Sequence, residues 1–258
     1  MRIAVCVKQV PEGAAKRIDP ATRRLDRAGE GALNAYDANA VEEALRLKES
    51  AGEGEVVLLT MGPARAADAI RKALAMGADR AILVTDDAAA GSDLLATSIA
   101  LARALEREQP DLVLFGQQAA DSDGAVLWGA VADRLRRPLI SQVAELTLAD
   151  GVVTGKRQSE FGYDVIRAPL PAVVAVSDSI NEPRYPSLKG IMGAKKKPQE
   201  TLTLADLGVE SDRAGEAGSR TEVLALSEPP SRGESRRIDG DGAAPEAIIA
   251  FLAEKRLV

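Results

Sequence analysis

The chain has 258 residues, 46% hydrophobic and 28% charged, which is enough for one large α/β domain with an appendage and excludes wholesale disorder. With 33 basic against 39 acidic residues the net charge is -6, so no global positive field exists to hold a nucleic-acid backbone. The absence of histidine excludes Ser-His and Cys-His nucleophilic sites, and the single cysteine, Cys6, excludes intrachain disulfides and a CxxC pair, so any electron handling needs a borrowed cofactor.

No apolar run approaches the ~20 residues of a membrane span, and Met1-Arg2 leads straight into a strand-like run, so a cytoplasmic location is expected. The first run, Ile3 to Val7, is near-continuously apolar, as in a strand covered on both faces. A helix from Asp37 to Ala51 follows, with Val41, Ala44 and Leu45 on one face and Gly52 at its end. Val56 to Thr60 is the second strand, and Ala64 to Met76 the second helix, closed by Gly77. Ala81 to Val84 precedes a helix from Ser92 or Asp93 to Glu108, and Leu112 to Phe115 precedes one from Asp123 to Arg136. This alternation predicts βαβ units in an α/β fold with a Rossmann-like parallel sheet sandwiched by helices.

After Pro138 the period changes to two. The alternation about Asp150-Gly151, through Val152 to Arg157 and Tyr163 to Arg167, predicts a small antiparallel hairpin, and Ala172 to Val176 returns to the main sheet. From Ser177 onward prolines punctuate polar segments, with one short helix near Pro245 to Lys255. The expected organisation is a nucleotide-binding α/β domain over residues 1–190 and an extended C-terminal arm over 191–258, with too little core to fold alone.

In an open parallel sheet, ligands bind beyond the carboxyl ends of the strands, where strand order reverses. That collects the loop after Cys6, the segment Asn34 to Asp37, Met61-Gly62-Pro63, and Gly116-Gln117-Gln118-Ala119-Ala120-Asp121-Ser122-Asp123-Gly124-Ala125. The last reads either as a phosphate cradle of backbone N–H groups or as a solvated loop with Asp123 capping its helix. A second candidate, Gly91 to Ser98, offers hydroxyls to a phosphate or ribose, or merely an N-cap at Ser92 or Asp93. Neither matches Walker A or the dinucleotide glycine fingerprint. Asp121 and Asp123 lack a third metal ligand nearby in sequence. Lys195-Lys196-Lys197 reads as a solvated face or a docking patch, and Trp128 as core or as a wall of the crevice.

Four stretches together resemble the beta subunits of electron transfer flavoprotein, over essentially the whole chain. They are Val7-Lys8-Gln9-Val10-Pro11, Asn34 with Ala40-Val41-Glu42-Glu43-Ala44-Leu45, Gly62-Pro63 followed by Ala73-Leu74-Ala75-Met76-Gly77-Ala78-Asp79, and Asn181-Glu182-Pro183-Arg184-Tyr185-Pro186-Ser187-Leu188-Lys189-Gly190-Ile191-Met192 ahead of Ala194-Lys195-Lys196-Lys197. The resemblance implies an αβ heterodimer with one FAD, held mostly by the alpha subunit. Such a heterodimer carries electrons from acyl-CoA and related dehydrogenases of fatty acid oxidation to a quinone oxidoreductase. The beta subunit would be a carrier subunit and not an enzyme. It would hold a structural AMP on Cys6, on Asn34, Ala35, Tyr36 and Asp37, on Met61, and on Gly116 to Ala125 with Val126 and Leu127, with Tyr36 towards the flavin. Partner dehydrogenases would dock on the loop Asn181 to Lys197, through Asn181, Glu182, Pro183, Arg184, Tyr185, Leu188, Ile191 and Met192, with Leu188 as anchor. Thr201 to Val258 would embrace the alpha subunit.

Electron-bifurcating members place a second FAD where others hold AMP, and Asp93 and Thr97 with Asp121-Ser122-Asp123 are similar to their pattern. That pattern continues Thr-Ala-Gln-Val-Gly, whereas this chain reads Gly124-Ala125-Val126-Leu127-Trp128. A second FAD that oxidises NADH therefore stays open beside AMP, with the bulky Trp128 favouring the smaller nucleotide. A free-standing ATP-binding module is the remaining reading, but no SGGxDS-like loop follows the first strand.

Overall fold

The computed structural model describes residues 1–13, 17–227, 230, 237–238, 240 and 242–258. The chain opens with β1 (Arg2–Cys6), whose last four residues are buried. Next come β2 (Gln9–Pro11), β3 (Ile18–Asp19), β4 (Arg24–Leu25) and β5 (Gly31–Leu33), which form two small antiparallel ribbons, β2 with β5 and β3 with β4. These ribbons carry too few apolar residues to be read from periodicity. Then α1 (Ala35–Ala51), β6 (Glu55–Met61), α2 (Ala67–Met76), β7 (Arg80–Val84), α3 (Leu94–Glu108), β8 (Leu112–Gly116) and α4 (Leu127–Leu135) complete the alternating half. Gly52 and Gly77 close α1 and α2 at φ 75 and 144, conformations that a side chain would oppose.

The second half contributes β9 (Leu139–Ala149), β10 (Val152–Ser159), β11 (Gly162–Pro169), β12 (Ala172–Val176), α5 (Leu188–Ala194), β13 (Gln199–Leu202) and α6 (Gly215–Gly218). Asp150 and Gly151, at φ 50 and 72, form the tight turn that their residue types call for between β9 and β10. Nine of these strands form one sheet in the order β11-β10-β9-β12-β8-β1-β6-β7-β13. Pairing is parallel from β9 through β13, while β10 and β11 add an antiparallel ribbon at one end.

Apolar side chains cover both faces. Ile3, Val5, Leu58 and Leu114 pack towards α1 and α2, whereas Ala4, Cys6, Leu59 and Phe115 pack towards α3 and α4. Each fully buried Leu or Ile contributes roughly 1.5–3 kcal/mol, which fixes the strand order far more firmly than the loops do.

The last third of the chain corrects the expectation of an arm without a core. β13 pairs in parallel with β7, and Leu202, Leu204, Leu207, Val209 and Ala214 are buried in the second core cluster. One compact unit therefore runs from Met1 to Glu222, past the expected boundary at 190, and a second comprises Val223 to Val258. Within the second, α7 (Ala244–Glu254) exposes Ile248 and Ile249. Among the described residues no helix is long and apolar enough to cross a membrane.

Candidate functional site

Strand order reverses between β1 and β8, because β6 and β7 lie to one side of β1 while β8 and β12 lie to the other. The carboxyl ends of these two strands open a crevice, the place where ligands bind in sheets of this kind. Asn34 closes one wall. It stands at the head of α1 without capping it; its Nδ2 donates to Gln118 O at 2.8 Å and its Oδ1 accepts from Ala120 N at 3.1 Å. The loop after β8 is thus held against the head of α1 by Asn34, and Gln118 Nε2 adds a long hydrogen bond to Tyr36 Oη of α1 at 3.4 Å.

Asp37, in the first turn of α1, is buried and accepts from Lys8 N at 2.7 Å. Burial pushes its carboxyl up to about 7, against the opposing pull of Asn34, Lys8 and the Gly116 amide. Gly116 has no room for a side chain: a Cβ there would lie 2.5 Å from both Asp37 Oδ1 and the carbonyl carbon of Tyr36. The close approach of β8 to the head of α1 therefore requires glycine. Cys6 is buried beside Asp37, and desolvation together with that carboxylate raises its thiol well above the usual range, so it acts as a small unreactive hydrophobe.

Asp121 organises the charge. Its side chain is 2% exposed, and its two oxygens receive Lys8 Nζ and Arg27 Nε, each at 2.7 Å. Burial alone would raise this carboxyl, but the two cations outweigh it and hold it below the usual range. Both oxygens are spent on cations, and among the described residues no group of three or more Cys, Asp or Glu side chains is placed to hold a metal. Lys8 and Arg27 stay 37% and 39% exposed, and Lys8 Nζ also donates to Ser122 Oγ at 3.3 Å. Sequence reading missed Arg27, which sits on no apolar period and reaches the crevice only through the turn after β4.

The loop itself departs from expectation at its end. Asp123 does not cap α4: the helix starts at Leu127, and Asp123 and Ala125 stand at φ 48 and 45, which breaks helical continuation. Within the loop the N–H groups of Ala120, Ser122 and Asp123 are engaged on Asn34 Oδ1 and Ala119 O, so donors for an anion come from the stretch after Asp123, at the head of α4. Trp128 packs against the second core cluster and donates its indole N–H to Gln117 O at 2.9 Å, so it fastens the loop from behind. Met61 ends β6 on the same edge of the sheet.

Asp93 and Thr97 have a different setting. Asp93 caps α3 through Ala96 N at 2.9 Å, and its other oxygen accepts from Arg220 N and Thr221 Oγ1 at 2.7 and 3.1 Å. That carboxylate is engaged in holding residues 220–221, and Thr97 lies one turn into the helix it caps.

The segment from Asn181 is a helix approach and not a free loop. Asn181 exchanges hydrogen bonds with Asn39 and donates to Glu43 Oε2 at 3.0 Å, while Arg184 lies on Glu42 and Glu49 of α1. Ser187 caps α5 by accepting from Gly190 N at 3.0 Å. Leu188, Ile191 and Met192, at helical spacing, are then 75%, 53% and 69% exposed, and Tyr185 is 92% exposed. Behind them a groove of about 340 Å³ lies between α2 and α5, floored by Ala75, Ile191 and Ala194 and edged by Arg71, Lys72 and Lys195.

Residues 22–207 match a family model described as the electron transfer flavoprotein domain. Over 263 residues the chain is 40% identical to an electron transfer flavoprotein subunit beta of Mycobacterium tuberculosis, with 99% of each chain covered. It is 38% identical over 262 residues to the caffeyl-CoA reductase-Etf complex subunit CarD of Acetobacterium woodii, covering 100% of both. The electron transfer flavoprotein subunit beta of Megasphaera elsdenii is 37% identical over 263 residues, covering 99% of this chain and 97% of its own.

Proposed function

Because the chain belongs to the electron transfer flavoprotein family, on the side of its beta subunits, we propose that it pairs with an alpha subunit around one FAD and serves as a cytoplasmic electron carrier. The flavin supplies the electron-transfer chemistry when bound; this chain contributes position, charge and docking. The alpha subunit takes up the second unit, whose α7 leaves Ile248 and Ile249 exposed, an apolar surface suited to a partner. Electrons come from acyl-CoA and related dehydrogenases and pass to a quinone oxidoreductase.

One observation carries the nucleotide reading: the loop after β8, tied to Asn34, bends around positive-φ residues beside two cations that Asp121 pins in place. Those residues fit a phosphate monoester, with the N–H groups at the head of α4 as donors and Lys8 and Arg27 as charge. We assign this crevice to a structural AMP, with Cys6, Met61 and the head of α1 around it. The alternative is a second FAD that oxidises NADH. Asp93 and Thr97 with Asp121-Ser122-Asp123 are the residues that suggest it, and Asp93 already has both oxygens engaged.

The partner reading places dehydrogenases on α5, where Leu188, Ile191 and Met192 offer an apolar contact in a basic setting. The test of the nucleotide reading is a ligand inventory of the co-expressed heterodimer, with released FAD and AMP counted by absorbance and mass. One FAD with one AMP supports the carrier; two FAD without AMP overturns it in favour of a second redox centre in this chain.

A further inference from the structure

α5 has seven residues, far below the ~12–15 at which an isolated helix begins to hold in water, and of its apolar side chains only Ala194 is buried while Leu188, Ile191 and Met192 are exposed. Its order has to come from its seat on α2, where Ala194 joins the core, and from what holds its ends. On the upstream side Arg184 Nε and Nη2 donate to the two oxygens of Glu42 at 2.7 and 3.1 Å, its backbone N–H adds a third bond at 3.1 Å, and Nη1 and Nη2 reach Glu49 at 2.5 and 3.0 Å. The Glu42 side chain is 4% exposed, so this is a fork on a largely dehydrated carboxylate and not a loose surface pair. Downstream, Lys197 is set apart from its neighbours in the lysine run. Its Nζ donates to Leu74 O at 2.8 Å and Ala78 O at 2.5 Å, at the carbonyl end of α2, where a cation also meets the helix dipole. Between the two, Gly190 lies against Ala75 O with no room for a Cβ, which seats α5 on α2.

We propose that Arg184 and Lys197 are positioning residues that bracket α5, so that Leu188, Ile191 and Met192 meet an incoming redox partner already ordered. This rests on the reading of α5 as the docking element. The guanidinium of Arg184 is engaged on α1 at all three nitrogens, so it acts through the helix it holds. A pre-ordered contact spares the association the cost of freezing the segment, which an interface otherwise meets at each encounter.

The test uses the αβ heterodimer with a purified acyl-CoA dehydrogenase. It compares Arg184→Ala, Arg184→Lys, Lys197→Met and Leu188→Ala by KM for the heterodimer, kcat, FAD content and amide hydrogen exchange over residues 188–194. Arg184→Ala and Lys197→Met are expected to speed exchange in that segment and raise KM about tenfold, with a smaller change in kcat and FAD content kept. Arg184→Lys is expected to recover part of the loss, because an ammonium keeps the charge but not the fork. If Arg184→Ala fails to assemble, Glu49→Gln, at the exposed half of the fork, repeats the test. Unchanged exchange, or unchanged KM while Leu188→Ala raises it, overturns the bracket. An unchanged KM for Leu188→Ala overturns the docking reading and the bracket with it.

Discussion

Lys8 Nζ lies 2.7 Å from Asp121 Oδ1, which ties the end of β1 to the loop after β8 across the mouth of the crevice. The same carboxylate holds Arg27, so a single buried group fixes two half-exposed cations. Removing it leaves both cations free to reach water, which limits the stability loss to about 1–2 kcal/mol, less than breaking a fully buried pair. If the crevice holds AMP as proposed, the larger effect falls on the ligand. Asp121→Ala is expected to weaken AMP binding about tenfold, read by calorimetry on the heterodimer stripped of nucleotide. Unaltered affinity would mean that Lys8 and Arg27 do not need to be held.

The four main strands of the alternating half, its first three helices and the edge of the sheet that bears the crevice were legible in the sequence, because runs such as Ile3 to Val7, Val56 to Thr60 and Leu112 to Phe115 are unbroken and apolar. The head of α4 was not, since Asp123 looks like a cap and nothing local says that it takes a positive φ. β13 is Gln-Glu-Thr-Leu, polar by pattern, and is a strand only because β7 offers it an edge. α5 left a trace that went unread: Leu188, Ile191 and Met192 at helical spacing behind Ser187, hidden by their exposure and by the prolines before them. Glu42 and Glu43 gave a similar sign, two acids within the buried stretch of α1, which implies partners from elsewhere in the chain.

Asp37 makes stability depend on pH. Its carboxyl is raised to about 7 in the folded chain, from an ordinary value near 4 in the unfolded one. Between those values the native state keeps a proton that the unfolded state has released, so stability falls as pH rises. The contribution is fully present below about pH 4 and lost by about pH 7, at roughly 1.4 kcal/mol per pH unit between. Asp37→Asn cannot titrate. The difference in urea unfolding free energy between the natural chain and this variant is therefore expected to slope from about pH 4 to 7 and to level off above; a flat difference throughout would show that the carboxylate stays charged in the fold.

Two truncations separate folding from assembly. A chain ending at Glu222 keeps every residue of the first compact unit and is expected to retain its circular dichroism spectrum and unfolding cooperativity, while losing co-purification with the alpha subunit. A chain ending at Thr201 loses Leu202, Leu204, Leu207 and Val209 from the second core face, roughly 1.5–3 kcal/mol for each buried aliphatic side chain, and is expected to lose the fold itself. Recovery of the alpha subunit with the Glu222 chain would move the assembly surface into the α/β unit.

Charge around α5 gives the last prediction. Lys72, Lys189, Lys195 and Lys196 are exposed and make no ion pair among the described residues, whereas Lys197 is spent on the end of α2. On a chain of net charge -6 these lysines form a local positive field around the apolar face of α5. A partner that docks there is expected to carry carboxylates at the rim of its pocket, so KM for a dehydrogenase should rise several-fold as the Debye length shortens from about 10 Å at 0.1 M salt to about 3 Å at 1 M. Lys195→Glu with Lys196→Glu should raise KM at low salt and flatten that dependence, because repulsion is screened along with attraction. Since neither ammonium is hydrogen-bonded to α2 among the described residues, the double variant should keep its FAD and its unfolding midpoint. A salt dependence that survives the double variant would place the steering charge elsewhere on the heterodimer.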